Sequence, residues 1–182
     1  KLRQAIADGC HTLDALADRT SATRVCGGCA PLVKELLGQS DWTPAMVASV
    51  ETLADDVKSF RLRPLGTKCL PYLPGQHVVV QARVDDRWVQ RAYTLSSVPG
   101  SDHYEITVKR EPRGAFSRWL FDRMRPEDLL RISSPRGEYV HPDPVDDPVV
   151  CIVGGIGVTP AIAFSRWLAS HGRPSRLHVD YS

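Results

Sequence analysis

The chain has 182 residues, of which 42% are hydrophobic and 24% are charged, and its formal net charge is +2. This composition supplies a buried core and excludes a wholly disordered chain, and the near-neutral charge predicts no nucleic-acid partner. No apolar run approaches the roughly 20 residues that a membrane helix needs, so we expect no membrane span.

The cysteine content predicts a reducing compartment. The five cysteines are Cys10, Cys26, Cys29, Cys69 and Cys151. An odd number without an apolar leader argues against a disulfide framework and favours the cytoplasm. Because the chain starts at Lys1 rather than at a methionine, we expect further residues on the N-terminal side.

Residues 1–38 are predicted to form a small helical module. Apolar side chains recur there at helical spacing: Leu2, Ile6, Leu13 and Leu16. Thr12 can cap the second helix, since a threonine oxygen accepts from the free amides of a first turn. A third helix is predicted over 31–37, and the polar segment 39–44 is predicted to be a linker.

Residues 45–143 change to the alternation of a half-buried sheet. Strands are predicted over 57–63, 78–80, 88–95 and 104–109. Proline–glycine pairs separate several of them, and one helix is predicted over 117–124. Short strands with turns between them predict an antiparallel β-barrel.

Residues 144–182 have a third character. The uninterrupted apolar run 149–153 predicts a strand buried on both faces. A helix over 159–170 and a strand over 177–181 complete a β-α-β unit, which implies a parallel sheet that continues beyond the last residue. The predicted fold class is therefore multi-domain α+β, with a helical module, an antiparallel barrel and the start of a parallel α/β domain.

One candidate site lies at the end of a predicted barrel strand. Arg91 and Tyr93 project from the same face of that strand because they are two residues apart. A guanidinium suits a phosphate, an aromatic plane suits a flat ring, and the Thr94 hydroxyl could meet a ring nitrogen. The alternative is an ordinary barrel strand with a surface arginine.

A second candidate site is the start of the predicted helix at 117–124. Gly114 is followed by Ser117, which we predict to cap this helix. The free amides and positive end of such a helix suit an anion, and Arg91 could share that anion. The alternative is a helix cap without a ligand.

A third candidate site is a glycine-rich turn between a strand and a helix. Gly154, Gly155 and Gly157 precede Thr159 and Pro160. Glycines at this position let a diphosphate approach the backbone, although the pattern is not the G-x-G-x-x-G fingerprint.

The fourth candidate site is the pair Cys26 and Cys29. Two thiolates at C-x-x-C spacing can bind one metal, but iron–sulfur and structural zinc sites usually take four ligands. A thioredoxin-like redox pair and free structural cysteines are the alternatives, and the helical surroundings lack the strands of the former.

The first three patterns together resemble the ferredoxin-reductase-type FAD/NAD(P)H oxidoreductase family over roughly residues 45–182. The matching stretches are R-A-Y-T-L-S-S from Arg91, G-A-F-S-R-W-L from Gly114 and C-I-V-G-G-I-G-V-T-P-A from Cys151. The resemblance implies a flavin barrel followed by the first part of a nucleotide-binding domain. It also implies that Arg91 contacts the flavin phosphate, that Tyr93 stacks on the isoalloxazine and that Thr94 lies near its reactive nitrogen.

The same resemblance implies the cofactor-binding residues. Those expected at FAD are Arg91, Tyr93, Thr94, Ser96, Val108, Gly114, Ala115, Phe116 and Ser117. Those expected at NAD(P)H are Gly154, Gly155, Gly157, Thr159 and Pro160. We find no acid–base dyad, and Thr94 is the one residue expected beside the reacting atoms.

Residues 1–38 resemble the second half of a bacterioferritin-associated-ferredoxin-like [2Fe-2S] domain. The resemblance rests on the stretches around Cys10 and around Cys26 and Cys29. It implies that Cys26 and Cys29 are two cluster ligands, with an upstream C-x-C pair before Lys1. Such domains occur in nitrite and nitrate reductase systems.

The combined resemblances imply an enzyme that transfers electrons from NAD(P)H through FAD to a [2Fe-2S] cluster. The expected partner is a terminal electron acceptor, as a separate protein or a fused domain, with nitrate assimilation as the leading role. One alternative is a free-standing flavin, ferric or haemoprotein reductase without a cluster. Another is a non-catalytic zinc module with a docking barrel. Colour distinguishes them, because flavin and iron–sulfur absorb visible light and zinc does not.

Overall fold

A computed structural model describes residues 1–10, 12–22, 33, 42–140, 148–173 and 177–182. The chain divides into two compact units, Lys1–Trp42 and Thr43–Ser182. Within the described ranges, no helix is long and apolar enough to cross a membrane.

The first unit contains the two helices that the apolar spacing predicts. They are α1 (Leu2–Ala7) and α2 (Leu13–Thr20). Thr12 caps α2, because its Oγ1 accepts a hydrogen bond of 3.1 Å from the amide of Ala15. Ala5, Leu16 and the helical residue Val33 form the buried cluster of this unit. Apart from Val33, the predicted helix over 31–37 lies outside the described residues.

The second unit contains a six-stranded antiparallel sheet among its described residues. The strands are β1 (Trp42–Ala54), β2 (Val57–Pro64), β3 (His77–Val84), β4 (Arg87–Thr94), β5 (Tyr104–Lys109) and β6 (Leu129–Ser133). Their order is β4-β3-β6-β1-β2-β5. A bridge between Leu95 and Ile106 brings the end of β4 against β5, so the two edges meet and the sheet closes. This confirms the predicted barrel.

The barrel begins earlier than the predicted linker allows. β1 starts at Trp42, so the last three residues of the segment 39–44 belong to the sheet. Ala45 pairs with Pro64, and the carbonyl of Pro44 accepts a hydrogen bond of 2.8 Å from Leu65. The backbone next to β2 therefore satisfies the carbonyl of Pro44, while the polar residues 39–41 that indicated a linker lie outside the described residues.

The helix α3 (Ala115–Arg123) begins two residues before the predicted start at residue 117. Gly114, rather than Ser117, is its N-cap residue, and Ser117 stands in the first turn. Phe116 and Leu120 are buried in the barrel core. The apolar side chains of α3 therefore pack it against the barrel. The helix starts directly after Gly114.

The last part of the chain forms the predicted β-α-β unit. It comprises β7 (Val149–Val153), a short 3-10 turn (Gly155–Val158), α4 (Thr159–Ser170) and β8 (Leu177–Tyr181), and the two strands are parallel. The expectation that β7 is buried on both faces is wrong. Cys151 is buried under α4, but Val150 and Ile152 are 62% and 80% exposed, because no described element covers that face.

Candidate cofactor-binding site

One cavity of about 590 Å³ lies where the barrel meets the turn that precedes α4. The barrel contributes the end of β4, the end of β5 and the start of α3. The lining residues are Arg91, Ala92, Tyr93, Thr94, Thr107, Lys109, Glu111, Arg113, Gly114, Ala115, Phe116, Ser117, Ile156, Gly157, Thr159 and Pro160. Its volume is within the usual range for small-molecule and cofactor sites.

The structure brings together all three patterns that the sequence suggested for a flavin and a nucleotide. Arg91, Tyr93 and Thr94 lie on one wall, beside the segment 114–117. Gly157, Thr159 and Pro160 line the same cavity. Segments far apart in the sequence therefore converge on one space.

Tyr93 presents a partly buried aromatic ring to this cavity. Its ring lies 6.5 Å from that of Phe116, with an angle of 30° between the planes. Burial raises the pKa of Tyr93 to about 12, against an opposing effect of the Arg91 charge. The phenol is therefore neutral at physiological pH, and its ring is suited to contact a flat, uncharged group.

The barrel wall carries an excess of positive charge. Arg91, Lys109 and Arg113 line the cavity with Glu111 as their one carboxylate among the lining residues. The guanidinium of Arg91 donates to the carbonyl of Gln90 at 2.7 Å and leaves further donors available for a ligand. This arrangement favours an anionic ligand.

The start of α3 adds amide donors to the same wall. No side chain caps this helix, and its first turn contains no acidic residue. Ser117 Oγ instead accepts from the amide of Glu111 at 3.3 Å and donates to the carbonyl of Gly114 at 3.2 Å. A Cβ at Gly114 would lie 2.4 Å from that Oγ, so the close approach requires glycine. The uncapped helix end is available to an anion in the cavity.

The opposite wall is the turn that leads into α4. The amide of Gly157 donates to the carbonyl of Gly154 at 3.0 Å, and Thr159 Oγ1 donates to the carbonyl of Ile156 at 3.1 Å. These bonds fold the segment tightly and place Ile156 and Pro160 at the cavity surface.

Four residues expected at the cofactors lie outside the cavity. Ser96 is fully buried and donates to Glu105 Oε1 at 3.0 Å, and Val108 points into the barrel core. A Cβ at Gly154 would lie 3.1 Å from the carbonyl oxygen of Ser182, and Gly155 has a φ of +52°. At these four positions, packing or backbone conformation explains the residue type without any contact to a cofactor.

Six lining residues were not among the predicted ones: Ala92, Thr107, Lys109, Glu111, Arg113 and Ile156. The alternation of β5 carried a signal for two of them. If Ile106 and Val108 face the barrel core, Thr107 and Lys109 must face the other side. Glu111, Arg113 and Ile156 lie outside the strands, where alternation does not predict the direction of a side chain. Ala92 lies between Arg91 and Tyr93, so alternation assigned it to the opposite face of β4.

The predicted cluster ligands Cys26 and Cys29 lie outside the described residues. In the part of the chain that the structure describes, no group of three or more His, Cys, Asp or Glu side chains could hold a metal ion. Cys10 packs beside the small core of the first unit.

Sequence comparison identifies the class of protein. Residues 44–141, more than half of the chain, match the oxidoreductase FAD-binding domain, and the chain belongs to this family. Residues 1–39 match the BFD-like [2Fe-2S] binding domain. Both resemblances seen in the sequence are thereby confirmed.

Curated relatives of the chain include two flavohemoproteins. That of Deinococcus radiodurans is 38% identical over 138 residues, with 74% of this chain and 34% of the relative covered. That of Pseudomonas aeruginosa is 36% identical over 132 residues, with 72% and 33% covered. The chain therefore spans about a third of the length of these relatives.

Solved structures with the same fold include an FAD/NAD-binding domain and a reductase. The FAD/NAD-binding domain of a nitric oxide dioxygenase from Vibrio cholerae has a TM-score of 0.72 and 28% identity, covering 76% of this chain and 61% of its own. Phthalate dioxygenase reductase, described as a modular structure for electron transfer from pyridine nucleotides to [2Fe-2S], has a TM-score of 0.67 and 28% identity, covering 77% and 43%. These similarities confirm the fold class.

Proposed function

We propose that this chain is part of a reductase that transfers electrons from NAD(P)H through FAD to a terminal acceptor. The observation that carries the proposal is the convergence of three features on one cavity. An arginine and an uncapped helix end, a partly buried tyrosine ring and a glycine-containing turn all line it.

The residues of the barrel wall fit FAD. A diphosphate would gain charge-assisted bonds from Arg91 and amide bonds from the start of α3, next to Gly114. Lys109 and Arg113 would add to the favourable field. The flat ring system would lie against Tyr93, and the Thr94 hydroxyl would donate to or accept from its edge.

Bound FAD would supply chemistry that the side chains lack, because it accepts an electron pair from a nicotinamide and releases electrons singly. The residues of the chain bind, orient and exclude water. Tyr93 is neutral and partly buried, and Ile156 and Pro160 line the cavity with apolar side chains. No proton-transferring residue is required beside the ring.

We assign NAD(P)H to the wall formed by Gly157, Thr159 and Pro160. The absence of a side chain at Gly157, where a Cβ would meet no atom within 4 Å, leaves room for a ligand to approach the backbone. Gly154 and Gly155 would shape this turn without contacting the nucleotide.

We further propose that Cys26 and Cys29 supply two of the ligands of a [2Fe-2S] cluster. The match of residues 1–39 to a BFD-like domain supports this assignment. A cluster usually takes four cysteine ligands, so the C-x-x-C pair accounts for half of a site. Iron and acid-labile sulfide analysis of the full-length protein, with Cys26→Ser as the comparison, tests it.

The terminal acceptor is a separate protein or a fused domain. The N-terminal module supports a nitrate or nitrite reductase, whereas the relatives of the barrel are flavohemoproteins and support a haem protein. Comparing electron delivery to a nitrite reductase and to a globin would decide between them. Cys10, Cys69 and Cys151 are free thiols, which supports a cytoplasmic location.

The decisive test is cofactor binding by the full-length protein. We expect a yellow protein that contains FAD and is bleached by NADH or NADPH. Arg91→Gln should weaken FAD binding by about 10- to 100-fold, the loss expected for a charged hydrogen bond. The matched control is Arg87→Gln on the same strand, which lies outside the cavity and should change the affinity less than about twofold.

Three other outcomes have distinct meanings. Protein that stays colourless after reconstitution with FAD contradicts the proposal. Colourless protein that binds zinc supports the non-catalytic metal module. Yellow protein without iron supports a free-standing flavin or haemoprotein reductase.

A further inference from the structure

A charged cluster outside the cavity joins α4 to the barrel. Arg166, on α4, donates from Nη1 to Glu105 Oε1 at 2.5 Å and to the carbonyl oxygen of Ser96 at 2.7 Å. Glu105 is on β5, and Ser96 follows β4. One guanidinium nitrogen therefore connects the helix to two barrel segments.

The Glu105 carboxylate needs hydrogen-bonding partners to remain charged, because its side chain is only 8% exposed. Ser96 Oγ donates to the same Oε1 at 3.0 Å, and Arg61 Nε is 3.4 Å from Oε2. Burial alone would raise the pKa of Glu105, but the hydrogen bond and charge of Arg166, with help from Ser96 and Arg61, hold it below its ordinary value. The carboxylate is therefore ionised, and removing Arg166 would leave a buried charge with less compensation.

Each member of the cluster is close along the chain to a cavity residue. Arg166 lies about two helical turns after Thr159, on the same face of α4. Glu105 precedes Thr107 by two residues, so both project from the same face of β5. Ser96 follows Thr94 by two residues. The cluster therefore lies between structural elements whose ends form opposite walls of the cavity.

A second contact holds α4 without fixing its direction. Phe164 stacks on Tyr139, with ring centroids 5.8 Å apart, and lies against Gly75. Apolar contacts tolerate sliding and rotation, whereas two hydrogen bonds from one guanidinium require a defined orientation.

We propose that Arg166 and Glu105 are a positioning pair that holds the nucleotide-binding turn, residues 156–160, at a fixed distance and angle from the flavin wall of the cavity. The inference rests on the proposed function. Neither residue lines the cavity, so the pair acts through the turn and not by contact with a cofactor. The flavin wall does not depend on it, since Arg91 and Gly114 belong to the barrel.

The test compares Arg166→Gln with Arg61→Gln in the full-length protein. Both variants remove one cation from Glu105, but Arg61 is on β2 and links the barrel only to itself. Arg166→Gln should retain FAD and slow flavin reduction at saturating NAD(P)H by about tenfold or more, because misplacement of about 1 Å is costly. Arg61→Gln should stay within about twofold of the parent, and Arg166→Lys should fall between parent and Arg166→Gln.

A second readout needs no flavin. Hydrogen exchange of the flavin-free proteins should show faster exchange in residues 159–170 of Arg166→Gln, with β3 unchanged, and no such difference in Arg61→Gln. The inference is overturned if Arg166→Gln reduces its flavin at the parental rate with parental exchange, or if Arg61→Gln changes both readouts as much. Failure of the parent to bind FAD would instead refute the proposed function, and the exchange comparison would still decide whether the pair holds α4.

Discussion

The two walls of the cavity differ in how they are stabilised. The flavin wall is the barrel wall proposed to bind FAD, with Arg91, Tyr93 and Gly114. It is the surface of a closed barrel whose core includes Phe60, Tyr104, Phe116 and Leu120, all at most 2% exposed. The nucleotide wall is the turn 156–160, which we propose to bind NAD(P)H. It belongs to a unit of two parallel strands and one helix with a much smaller buried cluster. Buried apolar area is the main source of folding free energy. The flavin wall therefore maintains its own shape, and the position of the nucleotide wall depends on its contacts with the barrel.

Two of those contacts are chemically different. At one point, Phe164 packs between Tyr139 and the bare backbone of Gly75. At another, Arg166 bonds to Glu105. Substitutions at these points should disturb the nucleotide wall while equivalent changes elsewhere in the barrel do not.

The largest effect is expected from Gly75→Ala. Gly75 has a φ of +94°, and an added Cβ would lie 2.3 Å from the carbonyl oxygen of Tyr139 and 2.8 Å from Phe164 Cε1. The left-handed backbone and the overpacking together should lower the free energy of unfolding by about 2–5 kcal/mol. Denaturant unfolding of the full-length protein measures this loss.

Gly100→Ala is the matched control. Gly100 has a φ of +89°, but a Cβ there would meet nothing within 4 Å. Its cost should be the backbone term alone, about 1–2 kcal/mol. Equal losses for the two variants would show that the contacts with Tyr139 and Phe164 do not matter.

Sequence periodicity predicted the barrel well and the environment of β5 only in part. The alternation of Tyr104, Ile106 and Val108 identified the core face of that strand. Glu105, on the opposite face, is also buried, because Arg166 and Ser96 reach it from other segments. A local pattern does not specify a partner 61 residues away, so the positioning pair could not be predicted from alternation.

The candidate site was predicted where a motif fixes side-chain direction and was missed where it does not. Arg91 and Tyr93 share a face and both line the cavity, as the spacing of two residues required. Ser96 and Val108 were expected at FAD from the family resemblance, but their side chains turn into the protein. The exposure of Ile152 has another cause: an apolar run specifies a buried strand only when elements cover both of its faces.

The next largest effect is expected from Glu105→Gln. Glutamine keeps the shape of the side chain but removes its charge, so loss of charged hydrogen bonds should cost about 1.5–3 kcal/mol at neutral pH. The pKa of Glu105 is lowered from its ordinary 4.5, by partners that outweigh the opposing effect of burial. The unfolded chain therefore binds its proton more readily than the folded one, and the stabilisation is present above pH 4.5 and lost as the pH falls through the folded pKa.

The measurement is the difference in free energy of unfolding between parent and variant as a function of pH. Asp102 and Asp122 also have lowered pKa values, Asp102 through its hydrogen bond to His103 and Asp122 through that to Arg110, but both are common to the two proteins and cancel. The titration runs from about pH 7 to about pH 3. If the difference in free energy of unfolding stays constant over this range, the Glu105 charge is not stabilising.

The smallest effect on stability, and the most selective one, is expected from Gly157→Ala. A Cβ at Gly157 would meet no protein atom within 4 Å, and the φ of this glycine is not in the left-handed region. The free energy of unfolding should therefore change by less than about 0.5 kcal/mol. Because the new methyl group enters the space of the nucleotide wall, the affinity for NAD(P)+ should fall by about tenfold while that for FAD is retained. Calorimetric titration of the FAD-loaded protein with NAD(P)+ and of the flavin-free protein with FAD measures the two affinities. A loss of FAD affinity with unchanged NAD(P)+ affinity would mean that the two walls had been assigned to the wrong cofactors.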